Sequence, residues 1–104
     1  MPEPMLTANV KLIIVVGPFE VSEQLATDLR RLGVRGFTTM RVNGDGVHGP
    51  RHYGAIDSGN VRFEVLASKP LADKILAHVA TTLADRAVTA YSMDVEAVPA
   101  DHFD

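Results

Sequence analysis

The chain has 104 residues, 46% of them hydrophobic, and a formal net charge of −3. That length holds one domain with its own core and leaves no room for a second, and the negative balance lacks the excess positive field that holds DNA or RNA, so nucleic acid is excluded as a partner. Cysteine is absent, which removes a disulfide framework and any thiolate metal site.

The opening residues, MPEPMLTA, have neither the basic stretch nor the apolar stretch of a leader, and no apolar run reaches the roughly 18 to 20 residues that cross a bilayer. We expect a flexible N-terminus over 1–9, no insertion into a membrane and a cytoplasmic protein. Val10 to Val16 (VKLIIVV) is almost continuously apolar and rich in β-branched residues, the pattern of a central strand covered on both faces. Gly17-Pro18 breaks it. From Phe19 to Leu32, Val21, Leu25, Leu29 and Leu32 recur at helical spacing, with Pro18 suited to the first turn and Gly33 to the C-terminal stop.

FTTMRV reads as the second strand and NVRFEVL as the third, in which Val61, Phe63 and Val65 alternate with Arg62 and Glu64. A tight hairpin of about two to five residues could join them. Instead a glycine-punctuated loop of about 43–59 intervenes, and loops of that length inside a compact domain are usually functional or disordered. Ser68 is placed to cap a second helix with Pro70 in its first turn and Leu71, Ile75, Val79 and Leu83 as its apolar stripe. In the last strand Thr89, Tyr91, Met93 and Val95 alternate with their neighbours. The domain therefore spans 10–98, with a flexible C-terminus over 99–104 in which His102 belongs to a frayed acidic tail.

This βαββαβ order is that of the α+β ferredoxin-like fold, a four-stranded antiparallel sheet with two helices on one face. Ile13 and Val15 point opposite to Leu12, Ile14 and Val16, so an apolar set remains on the helix-free face whichever way the strand turns. We assign Ile13 and Val15 to that open face. Its commonest remedy is another copy of the chain, so a homo-oligomer is expected.

The loop carries the most chemistry. Gly44, Gly46, Gly49, Gly54 and Gly59 allow successive N–H groups to face an anion, and Arg41, His48, Arg51 and His52 add donors. A solvated loop without a ligand explains the same composition. His48 and His52 have the four-residue spacing of a helical metal pair, but glycine and proline surround them, so they read as solvated loop histidines and no metal site is assigned. Asp45 beside Gly46 is explained by turn chemistry, and His78 by packing in the second helix. There is no GxSxG, no P-loop and no evident nucleophile or base, so no catalytic residue is assigned and the protein is not read as an enzyme.

Taken together, GVRGFTTMRVNGDG (Gly33 to Gly46), Arg51, NVRFEVL and a helix ending before YSMDVEAV are similar to the PII-like signalling proteins. The resemblance covers about Val10 to Val98 and is greatest to the carboxysome-associated PII-like proteins and the PII-like regulators of bicarbonate transporters. It implies a homotrimer whose long loop, the T-loop, adjoins an inter-subunit cleft for an adenine nucleotide: AMP or ADP, extending to ATP or cyclic AMP. Gly44 and Gly46 would approach phosphate through their backbone, Arg51 would give a charge-assisted contact and Thr38 a hydroxyl, and Asn60 and Val61 would wall the pocket. The turn Asp85-Arg86-Ala87-Val88, the family's B-loop, would face the nucleotide from the neighbouring subunit, and His48, Arg51 and His52 would be the neighbours of a bicarbonate co-ligand. The partner implied is a bicarbonate transporter or a carboxysome-related protein. His48 and Asp45 stand where relatives place basic residues, which makes the cleft less cationic. Two other readings share the architecture: a CutA-like trimer binding divalent metal, and a small acylphosphatase-like hydrolase using an arginine and an asparagine.

Overall fold

The computed structural model describes residues 6–43, 45–46, 49–50 and 59–103. β1 runs over Ala8–Pro18, longer at both ends than the apolar run alone indicates, because backbone pairing continues past the last branched side chain. A 3₁₀ turn over Phe19–Val21 leads into α1 at Ser22–Leu32. Gly33 ends α1 in the left-handed region (φ 111°), its N–H donating to Arg30 O while that of Val34 donates to Leu29 O, the paired bonds of a Schellman stop.

β2 covers Thr38–Val42, and the short strands β3 (Asp45–Gly46) and β4 (Gly49–Pro50) pair with each other. β5 (Asn60–Ala67) returns the chain to the main sheet. Ser68 caps α2 (Lys69–Thr82), its hydroxyl oxygen accepting from Leu71 N–H at 3.4 Å, with Pro70 in the first turn where no N–H is needed. A 3₁₀ turn over Ala84–Arg86 and a left-handed Ala87 precede β6 (Thr89–Ala97). Residues expected to fray at the C-terminus include a 3₁₀ turn, Ala100–Phe103, in which the His102 carbonyl accepts from Arg35 Nη2 at 3.3 Å.

The four long strands form one antiparallel sheet in the order β2-β5-β1-β6, which with α1 and α2 gives the expected ferredoxin-like arrangement. Both helices press on one face. Ile13, Val15, Phe63 and Val65 from the sheet meet Leu25 and Leu29 of α1 and Ala72, Ile75 and Val79 of α2, all of them buried. Half-buried His78 on α2 and Asp28 on α1 join the helices across 2.8 Å. At the far end of β1, Lys11 lies 2.6 Å from Asp94 and holds its carboxyl below the usual range, through the hydrogen bond first and the charge second.

Ile13 and Val15 therefore face the helices, opposite to the assignment made from β1 alone. Alternation separates two sets of side chains without saying which is inside. The register supplies the sign: Ile13 pairs with Val65 and Val15 with Phe63, the buried half of β5, whereas Ile14 pairs with Glu64 and Val16 with Arg62. The helix-free face thus carries Leu12, Ile14 and Val16 at its centre, flanked by Leu66, Tyr91 and Met93, which are 41 to 44% exposed.

Candidate functional site

Three chain segments meet at one end of the sheet. Val42, where β2 ends, pairs with Asn60, where β5 begins; Asn60 pairs in turn with Pro18 at the end of β1; and Val16 of β1 pairs with Thr89 at the start of β6. The feet of the 43–59 segment, the turn at Phe19 and the turn at Ala84–Val88 consequently share an edge of the domain. β2 and β6 are the two outer strands, separated by three strand steps of about 4.8 Å each, so the β2 foot stands roughly 14 Å from the start of β6 and the β5 foot at Asn60, two steps away, roughly 10 Å from it.

At the loop foot Asn60 is 4% exposed, and its Oδ1 has no hydrogen-bond partner among the described residues. A buried carbonyl oxygen without a donor costs on the order of 1 to 3 kcal/mol, which a ligand or a further chain could recover. Val61, next in β5, turns into the helix-side core, so any approach to a ligand is through its backbone. Thr38 is exposed at the start of β2 opposite Glu64, four ladder positions from the Val42–Asn60 pair and hence roughly 13 Å along the sheet. Gly46 lies in β3 opposite Gly49. Gly44, His48, Arg51 and His52 fall outside the described residues.

On the other edge Arg86 donates from Nη1 to Gln24 Oε1 at 3.1 Å. Ala87 takes φ 58° and ψ 37°, a conformation that costs an alanine roughly 1 to 2 kcal/mol. A helical residue followed by a left-handed one is the backbone pattern of an anion-accepting nest, and here the Arg86 N–H of that pattern already donates to Leu83 O at 3.0 Å. The Val88 side chain packs in the core. Gly17 makes this packing possible, since a Cβ there would stand 3.0 Å from Val88 Cγ2 and 3.2 Å from Val21 Cγ2.

One polar feature escaped the sequence reading. Arg62 and Glu64 form an ion pair, Nη2 to Oε1 at 3.2 Å, on the helix-free face, and Arg62 Nε is buried without a partner among the described residues. Their alternation in NVRFEVL was legible as a polar strand face, but only the register shows that the pair lies beside Ile14 and Val16 at the apolar centre of this face and that Thr38 and Met40 stand across from it. Among the described residues no group of three or more His, Asp or Glu could hold a metal ion. No helix among them is long and apolar enough to cross a membrane.

The domain is ferredoxin-like, with both helices on one face of the sheet and Leu12, Ile14 and Val16 at the centre of the other. The family model for nitrogen regulatory protein P-II matches residues 10–100, and the chain belongs to that family. No curated protein matches it. Among solved structures it is similar to a PII-like signalling protein of Thermus thermophilus, with 25% identity and a TM-score of 0.79 over 96% of this chain and 100% of that one. It is also similar in fold to CPII of Thiomonas intermedia, a nitrogen regulatory PII-like protein solved with ADP, AMP and bicarbonate. There the identity is 16% and the TM-score 0.75, over 88% of this chain and 94% of that one. The apo form of CPII gives a TM-score of 0.71 at 15% identity, covering 88% and 94%.

Proposed function

We propose that the chain is a PII-like regulator that binds an adenine nucleotide, ADP or AMP foremost, in clefts between the subunits of a homotrimer. It acts by binding and not by turnover. The observation that carries this reading is the left-handed Ala87 after helical Arg86, a strained conformation kept in the turn that the family resemblance turns toward the nucleotide. That turn leads into one outer strand and the first foot of the 43–59 segment ends the other, so in this reading the cleft forms where the β2 edge of one chain meets the β6 edge of the next. The open apolar face around Tyr91 and Met93 gives such an assembly a surface to bury.

In this reading Gly44, Gly46 and Arg51 meet the phosphates from one side and Arg86, Ala87 and Val88 from the other, while Thr38, Asn60 and Val61 border the cleft. CPII, which shares the fold, was solved with bicarbonate as well as nucleotides; here His48, Arg51 and His52 would receive bicarbonate, and the regulated process would belong to inorganic carbon metabolism, with a bicarbonate transporter or a carboxysome-related protein as partner. Nucleotide bound at the loop feet favours one arrangement of the 43–59 segment, and that differential affinity is the signal.

Calorimetry with AMP, ADP, ATP, cyclic AMP and bicarbonate tests the reading. ADP or AMP should bind, and Arg51→Ala should weaken binding by about ten- to a hundredfold, the worth of one hydrogen bond between charged groups. A melting temperature raised by divalent metal and by no adenylate would favour the CutA-like alternative.

A further inference from the structure

Phe19 stands between the two feet of the 43–59 segment. Its N–H donates to the carbonyl of Gly59 at 3.0 Å, immediately before β5 begins. Its ring lies under the guanidinium of Arg41, whose Cζ is 3.7 Å from the ring centroid, one residue before β2 ends. Phe19 is itself fixed. Pro18 before it is paired with Asn60, and its own carbonyl accepts from Ser22 Oγ at 2.6 Å. For all these contacts Phe19 is 40% exposed, which core packing does not explain.

β2 needs such a fastening. It is an outer strand whose residues Thr38 to Arg41 are exposed, so little apolar burial holds it to β5. A second arginine–ring contact secures its other end, Arg30 Cζ lying 5.1 Å from the centroid of Phe37. The contact at Phe19 adds to the Val42–Asn60 pairing a tie that joins Arg41, near the end of β2, to Gly59, just before β5.

We propose that Phe19 and Arg41 are positioning residues that pin both feet of the 43–59 segment and thereby set the nucleotide affinity of the cleft at its base. The pin stands on geometry alone; its effect on affinity rests on the nucleotide-binding reading above. A protein with unpinned feet spends less time in the binding-competent arrangement, and its apparent affinity falls by that fraction.

The test pairs hydrogen exchange with ADP calorimetry on the full chain. Phe19→Leu keeps apolar bulk and the backbone donor but removes the ring face. It should lower the protection of the residue-19 amide and weaken ADP binding about three- to tenfold, the fold-change an arginine–ring contact supports. Phe19→Tyr, which keeps the face, should restore both to within about twofold of the parent. Arg41→Met combined with Phe19→Leu should lose no more than the worse single change, because the pair acts as a unit. Unchanged protection in Phe19→Leu overturns the pin, and so does additivity in the double variant. ADP affinity unchanged despite lost protection overturns its role in binding. If the parent binds no adenylate, the nucleotide reading fails, and the exchange result alone decides whether the pin stands.

Discussion

The two faces of the sheet are built from the same kinds of residue and end in opposite conditions. On the helix side Ile13, Val15, Phe63 and Val65 are at most 1% exposed, closed over by α1 and α2. On the other side Met40, Leu66, Tyr91 and Met93 remain 38 to 44% exposed, around an Ile14 that is fully covered by its own neighbours. The chain completes one core by itself and leaves a second half-made. An apolar face left open in this way is the surface that the proposed assembly would bury.

The sharpest way to break this contrast is to place the same charge on each face. Ile13→Asp would bury an unpaired carboxylate under the helices at a cost of several kcal/mol, comparable with the whole stability of a domain, so we expect no folded protein by circular dichroism. Tyr91→Asp puts the charge where a single chain still reaches water. It should leave the fold intact and dissociate the assembly, read as a fall in mass by light scattering. If both variants unfold alike, or both keep the parent's mass, the two faces are not different in the way described.

A smaller effect is expected where β1 meets the Ala84–Val88 turn. Gly17→Ala would push a methyl to within 3.0 Å of Val88 Cγ2 and should cost about 1 to 3 kcal/mol in denaturant unfolding. Val88→Ala in the same chain should recover part of that loss by making room. No recovery would mean that Gly17 is required for another reason.

Much of the fold was legible because its punctuation is chemical. Gly33 is the residue that accepts φ 111° at a helix stop, and Ser68 with Pro70 is the pair that opens a helix; both did so. The inward face of β1 was not legible, since alternation has no sign until a register ties Val15 to Phe63. The site was legible only as a set of residue types. Thr38, Asn60 and Arg86 are named by their chemistry, but nothing in the order of residues says that Thr38 opens β2 four ladder positions from Asn60 or that Arg86 lies in the turn before β6. Alanine gives no sign of a left-handed turn, so Ala87 mattered in a way its side chain could not announce. The stacking of Arg41 on Phe19 was hidden for a different reason, because residues this distant meet only once β1, β5 and β2 are side by side.

The central claim is that the nucleotide site is made by two chains. Titrating ADP into the parent protein and into Tyr91→Asp, each with its mass measured in the same buffer, tests it directly. The parent should bind one ADP per chain as an assembly, and the folded, dissociated variant should bind none. Equal ADP affinity in assembly and monomer would place the site within a single chain and contradict the account.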